Sequence, residues 1–321
     1  MKHWLFAAII LLVLGGLVFL YSFAAADFNF FKVETETVMD NTYKINGEFQ
    51  KIQIEDNVGD VRLVLGTEAR VECCESEHLR YSVSVENGTL RIKLLDTRRW
   101  YHYLGFNLSD RALTVYLPEG MYEKLSVETD TGNIQIDSDF TFRWAKLSSD
   151  TGMISFEGTV SDSLDIETDT GNILLRSVSL GSLELETETG HVILQDLSVK
   201  DSLSLETETG ELHLVDLTCA TLSCEGSTAD IFLENVIADK KMVLKTKSGD
   251  LFLEACDAPN VEIISASGDV TGSFLRDKIF NVNSKSGDVK VPESAGSDRC
   301  KVTTGSGDIT LTVEKVQIPE E

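Results

Sequence analysis

The sequence predicts an all-β chain, a right-handed parallel β-solenoid of about ten to eleven coils with one N-terminal transmembrane helix. Three observations carry that reading. A short phrase recurs roughly every 19 or 20 residues from residue 125 almost to the C-terminus. Apolar residues alternate at a spacing of two on either side of the phrase, and an apolar run from Trp4 to Ala26 stands alone at the N-terminus. A fixed period in this range signals stacked units, each unable to bury its apolar face without neighbours.

Each copy reads as an apolar alternation, then Thr/Ser-x-Thr/Ser-Gly, then Asp, Asn or Glu, then a second apolar alternation. The glycines are Gly132, Gly152, Gly171, Gly190, Gly210, Gly249, Gly268, Gly287 and Gly307, with Ala229 holding the place once. Five residues earlier stand Val127, Leu147, Ile166, Leu185 and Leu205, and two later stand Ile134, Ile154, Ile173, Val192 and Leu212. Spacing of two means strands with one buried face. Glycine is expected to break them because it alone takes positive φ cheaply. Shorter apolar pairs such as Val178 and Leu180, or Leu197 and Val199, add a third, weaker strand. Successive coils should hydrogen-bond in parallel, so ten of them make a rod of about 48 Å. The hand follows from the general chirality of parallel crossovers.

The position before the glycine is always hydroxylated, from Thr131 to Ser306, and three before it only Gly226 departs from Thr or Ser. Parity puts both columns on the core side of the corner, where hydroxyls bond to backbone freed by the bend. They are read as corner stabilisers, not nucleophiles.

Three regions follow: 1–26, an anchor or signal peptide; 27–120, a membrane-proximal cap; and 121–321, the regular repeats. Trp4 to Ala26 is long enough to cross a bilayer. Lys2 precedes it and Asp27, Glu34 and Glu36 follow, which keeps the N-terminus cytoplasmic and exports the rest. Ala24-Ala25-Ala26 offers the rival reading, a cleaved signal peptide. In the cap, Ile52, Ile54, Gly59, Asp60, Val61 and Leu63 match the repeat columns and predict an early coil. A hairpin is expected over 81–94, turning at Asn87-Gly88. Leu113, Val115, Leu117 and Pro118 lead back into the coils, and Pro319-Glu320-Glu321 blunts the far edge.

Six cysteines in an exported chain would suggest disulfides. However, Cys224 and Cys300 stand in core columns, and Cys219 and Cys256 in the third strand, all in different coils. Buried free thiols fit better. Cys73 and Cys74 should face opposite ways.

Catalytic motifs fail on inspection. Asp130-Thr131-Gly132, Asp150-Thr151-Gly152 and Asp169-Thr170-Gly171 spell an aspartic-protease phrase, but the same column later holds Glu188, Glu208, Ser227 and Lys247. That chemistry needs two carboxylates from two lobes sharing a proton. Phosphate-cradle, dinucleotide and calcium-repeat phrases are absent, so neither an enzyme nor a cofactor is expected. His191, Glu211 and His213 could meet on adjacent coils, as a metal site or as scattered surface residues.

The acidic columns are the main candidate surface. Glu128, Glu167, Glu186 and Glu206 form one, ending at Glu225; Asp130, Asp150, Asp169, Glu188 and Glu208 form another. Stacked like charges repel, so the face is either solvated or draws cations, with weak Ca2+ association or a cationic partner. Lys245, Lys247, Lys285 and Lys301 reverse the sign farther along. A formal net charge of −25 excludes nucleic acid as a partner. Arg99, Trp100 and Tyr101 make a second candidate, for sugars or lipid headgroups, or else part of the end cover.

This arrangement resembles the bacterial putative-adhesin family, a domain of unknown function that includes LiaG-like envelope proteins. The resemblance rests on Lys51-Ile52 through Gly59-Asp60-Val61, the strand 113–118, and the Ser-Gly-Asp phrases at 248–250, 267–269, 286–288 and 306–308. It spans about residues 45–315 and implies adhesion or an envelope-stress role, with no established reaction. The expectation is a non-enzymatic envelope binding or scaffold protein displayed outside a bacterial membrane. It would be held by residues 4–26 and contact a cell-wall polymer or an envelope protein. The alternatives are a sensor or regulator acting through a membrane partner, and a polysaccharide-active β-helix enzyme.

Overall fold

The computed structural model describes residues 13–18, 21, 38–98, 111–137, 140–293 and 296–314. Within them the chain is β-structure laid down in rungs. The strand Met121–Thr131 pairs in parallel with Thr141–Thr151, setting Leu125 beside Ala145 and Val127 beside Leu147. The same register runs on through Leu164 and Ile166 to Leu183 and Leu185. On the next side Ile134, Ile154, Ile173, Val192 and Leu212 stand in line. Val178, Leu180, Leu197, Val199, Leu217 and Cys219 are buried on the third side. Three inward rows thus enclose one continuous apolar core. Each fully buried aliphatic side chain contributes about 1.5–3 kcal/mol, which no single rung could collect alone.

The glycine corner has a different cause from the expected one. Only Gly210, Gly249, Gly268 and Gly307 in this column have φ between 144° and 159°. The shared constraint is close approach. A Cβ on Gly171 would lie 1.9 Å from the carbonyl oxygen of Gly152, and one on Gly152 would lie 2.0 Å from that of Gly132. Left-handed backbone belongs instead to the next corner, where Ser177, Asp196, Asp216, Asn235 and Ala255 have φ of 50° to 56°.

The two hydroxyl columns also part company. Thr129, Ser149, Thr168, Thr187, Thr207, Thr246, Ser265 and Thr304 are buried, as parity requires. The column just before the glycine is exposed from Thr131 to Ser306, because the chain has already begun to turn. Ser149 and Ser284 donate to the carbonyls of Gly132 and Gly307 on the adjoining rung, at 3.1 and 2.9 Å.

A second ladder follows the glycine. Asp60 Oδ1 accepts from Asn133 N–H at 2.9 Å, and Asn133 Oδ1 from Met153 N–H at 2.8 Å. Asp230, Asp250 and Asp269 repeat the bond at 2.8 Å to the backbone N–H of Asp250, Asp269 and Asp308. The acidic residue of the phrase is therefore a backbone acceptor.

Sequence order and stacking order differ at both ends. At the N-terminal end the strands are β1 (Met39–Lys44), β2 (Lys51–Asp56), β3 (Asp60–Leu65), β4 (Arg70–Glu75), β5 (Leu79–Glu86), β6 (Thr89–Asp96) and β7 (Ala112–Leu117). β2 places Ile52 beside Leu125 on one side and beside Leu90 of β6 on the other. β3 likewise lies between Ile134 and β7. Leu113–Leu117 thus forms an outer rung rather than leading back between the first coil and the repeats. β5 folds antiparallel onto β6 through Asn87 and Gly88, both at positive φ, as in a tight hairpin turn. β4 runs antiparallel to β7, and β1 to β4.

At the other end Asp298–Ser306 lies between Asn260–Ser267 and Lys278–Ser284. The last rung in sequence is therefore next to last in space. Wholly buried Lys278 pairs with Asp257, donates to the Ala258 carbonyl at 2.9 Å and lies 3.6 Å from Asp298. A buried ammonium persists only when paired in this way.

Residues 315–321, with Pro319-Glu320-Glu321, lie outside the described residues, as does most of the apolar run. Among the described residues no helix is long and apolar enough to cross a membrane.

One rung breaks the corner rule twice. Ala229 replaces the glycine and Gly226 replaces the buried hydroxyl, and a Cβ on Gly226 would meet Ala229 Cβ at 2.9 Å. The methyl of Ala229 occupies the space the hydroxyl leaves. Gly226→Thr should therefore cost about 1–3 kcal/mol, and adding Ala229→Gly should recover most of it. Gly171→Ala should cost at least as much, while Gly120→Ala, with nothing within 4 Å of its Cβ, should stay within about 0.5 kcal/mol. Urea unfolding of the variants decides both points.

Candidate functional site

The acidic columns form as the register dictates. Glu128, Ser148, Glu167, Glu186 and Glu206 sit on successive parallel strands, and Glu55 extends the line past Glu128. Asp130, Asp150 and Asp169 stand one strand apart in the neighbouring column, followed by Glu188 and Glu208. All nine predicted carboxylates from Glu128 to Glu208 are exposed. Their single-file geometry supplies no paired, proton-sharing dyad.

Cations close the ladder on its flanks. Lys146 lies 3.2 Å from Asp165 and 3.4 Å from Glu167, and Lys245 lies 3.1 Å from Glu225. Between these pairs, partial burial and then Glu206 and Glu167 raise the pKa of Glu186. Partial burial followed by Asp150 and Asp56 raises that of Asp130. Elsewhere the sign is opposite. Lys301 and Lys241, at 3.1 and 3.2 Å, lower the pKa of Glu262 through hydrogen bonds.

His191, Glu211 and His213 do come together on adjacent rungs. Glu211 Oε2 lies 3.0 Å from His213 Nε2 and 3.7 Å from His191 Nδ1. No group of three or more His, Cys, Asp or Glu side chains among the described residues is placed to hold a metal ion. The cluster occurs where His191 and Glu211 replace the Asp or Asn of the acceptor ladder. Arg99, Trp100 and Tyr101 lie outside the described residues.

All six cysteines are unpaired. Burial pushes the thiols of Cys73, Cys219, Cys256 and Cys300 up to about 12, so they stay protonated and unreactive at neutral pH. Cys74 faces the other way from Cys73 and donates to Asp40 at 3.2 Å.

One surface escaped the sequence reading. The outward column three residues after the glycine changes from Gln135 and Ser155 to Leu174, Ile193, His213, Phe232 and Phe252, then to Thr271, Thr310 and Lys290. The His213 and Phe232 rings stack with centroids 4.6 Å apart, and Phe232 and Phe252 at 4.9 Å with planes within 4°. Beside Phe252 opens a recess of about 540 Å³. A second recess, of about 640 Å³, lies at the cap beside Phe49, Lys51, Pro118, Tyr122 and Glu123.

The raised carboxylates predict a pH dependence. A carboxylate with a raised folded pKa binds its proton more tightly in the folded chain, so stability rises as pH falls through that pKa. Melting temperature should therefore rise as pH falls from neutrality toward the ordinary carboxylate range, then drop as Glu262 and other lowered carboxylates protonate. Glu186→Gln should flatten the climb, by less than about 1 kcal/mol given its exposure. Thermal melts across this range measure it.

The fold has known counterparts. Among solved structures, a putative adhesin from Parabacteroides distasonis shares 11% identity at a TM-score of 0.52, covering 86% of this chain and 98% of its own. A putative adhesin from Bacteroides fragilis shares 13% at 0.45, covering 86% and 98%. A putative lipid binding protein from Parabacteroides distasonis shares 13% at 0.48, covering 88% and 98%. No curated protein matches the sequence. The Toastrack DUF4097 family matches residues 49–216 and again 198–318, so the chain belongs to the Toastrack DUF4097 family.

Proposed function

We propose that this chain is a non-enzymatic binding and scaffold protein of the bacterial cell envelope, displayed outside the membrane on a right-handed solenoid. The observation that carries the reading is the repetition of the outward surface. Glu167, Glu186 and Glu206 present the same group at the same height on three successive rungs, and Glu128 and Glu55 resume the line beyond Ser148. Such a face suits extended, multivalent contact, whereas catalysis needs one rung chemically unlike its neighbours. The adhesin name of the Parabacteroides distasonis relative accords with this. Residues 4–26 serve as the membrane anchor, with the N-terminus cytoplasmic. The right hand rests on the chirality of parallel crossovers.

Crosslinking in intact cells, followed by identification of the captured species, tests the reading. Capture of cell-wall polymer is expected. Capture of an integral membrane protein alone would replace adhesion with regulation through that partner.

In this proposal the acidic columns attract Ca2+ as a diffuse counterion, without a coordination site among the described residues. Calcium at about millimolar concentration should raise the melting temperature, and Glu186→Gln with Glu206→Gln should reduce the rise. An unchanged melt with calcium removes the ion from the account.

A further inference from the structure

The ring stack on the outer face ends abruptly. Phe232 and Phe252 stack with nearly parallel planes at 4.9 Å, the spacing of adjacent rungs. The next two rungs carry Thr271 and then Thr310 at the same position. A threonine is too short to cover a phenyl ring, so the outer face of Phe252 is open and the residue is 39% exposed. The two threonine rungs give the opening a width of about 9–10 Å.

Its flank is polar and partly fixed. Ser273 Oγ accepts from Ala255 N–H at 2.8 Å and donates to Glu314 Oε1 at 2.6 Å, which holds that carboxylate at the edge of the recess. Glu254 lines it as well. The recess thus joins one flat apolar wall, a floor of hydroxyls and a flank of carboxylate acceptors.

We propose that this recess is a saccharide-binding subsite, an inference that rests on the envelope-binding reading and names its ligand class. A pyranose ring continues the stack by laying its C–H face on Phe252, in the place the next aromatic would take. Its hydroxyls then meet Thr271, Thr310 and Ser273, and donate to Glu254 and Glu314. An apolar wall with a few convergent polar groups is how small-ligand sites combine affinity with orientation. Glu254 and Glu314 on the flank, within a chain of formal net charge −25, favour neutral or amine-bearing sugars over uronate- or phosphate-rich polymers, although Lys290 stands one rung beyond Thr310 at the far edge.

The test is calorimetric titration of the full chain with three probes: a neutral N-acetylglucosamine oligomer, its deacetylated amine form, and an oligogalacturonate. The neutral and amine oligomers should bind and the uronate should not. Phe252→Thr, which copies the next rung, should weaken binding about tenfold or more at a temperature where the variant is fully folded, while the lost stacking on Phe232 lowers its melting temperature only modestly. Ile193→Thr, on the same column but away from the recess, should leave affinity unchanged. Binding by none of the three, preference for the uronate, or full affinity in Phe252→Thr overturns the proposal. Failure here remains distinguishable from failure of the envelope reading. Polymer captured in cells equally by the parent chain and Phe252→Thr sinks the subsite alone. Oligomer binding in solution without any capture outside the membrane sinks the envelope role alone.

Discussion

Rung spacing in this protein depends on one close approach, that of each corner glycine to the carbonyl of the corner residue on an adjoining rung. Any side chain there would put Cβ about 2 Å from a backbone oxygen, well inside van der Waals contact. With the side chain absent, the ladder continues through the bend: Gly132 and Gly152 donate to Thr151 and Thr170 at 3.0 and 3.1 Å. The Asp and Asn acceptors beside them satisfy the next backbone donors. The backbone at the corner is thus paired, whereas the buried hydroxyls of Thr129, Thr168, Thr187, Ser265 and Thr304 have no hydrogen-bond partner among the described residues. At the one corner that carries a methyl, Ala229, the same rung has Gly226, whose Cβ would lie 2.9 Å from that methyl.

A ladder of equivalent rungs has no internal reason to stop. Its open edges are the places where unwanted pairing begins. The N-terminal end answers this with antiparallel strands: β5 covers one side, and β4 with β1 covers another. Tyr81 and Asp56 tie this cover to the first coil through a buried hydrogen bond of 2.5 Å. The C-terminal end uses a reordered pair of rungs, joined by Lys278 to Asp257 and Asp298. Both devices place the unusual chemistry of the chain at its ends, where the repeat cannot supply a neighbour.

Outward positions carry no such constraint. On one side of the rod they run from carboxylates to lysines, and on another from polar residues through an aromatic stack to threonines. Recognition chemistry can therefore change along the rod without disturbing the core.

The period, the inward rows and the parallel register were legible in the residues alone. Val127, Leu147 and Ile166 stand beside one another as their spacing required, because a strand with one buried face admits only one register. The exposure of the acidic columns and the burial of Cys224 and Cys300 follow from the same alternation, and the hairpin at Asn87-Gly88 from a dipeptide that takes positive φ twice. Tertiary structure decided what alternation cannot encode. It set the order of rungs at the two ends, since equivalent rungs pair equally well in more than one sequence order. It also exposed the hydroxyl column before the glycine, where the turn overrides parity, and left Phe252 with a bare face. That last feature depends on the rung next to Phe252 in space, and a linear sequence does not state which rung that is.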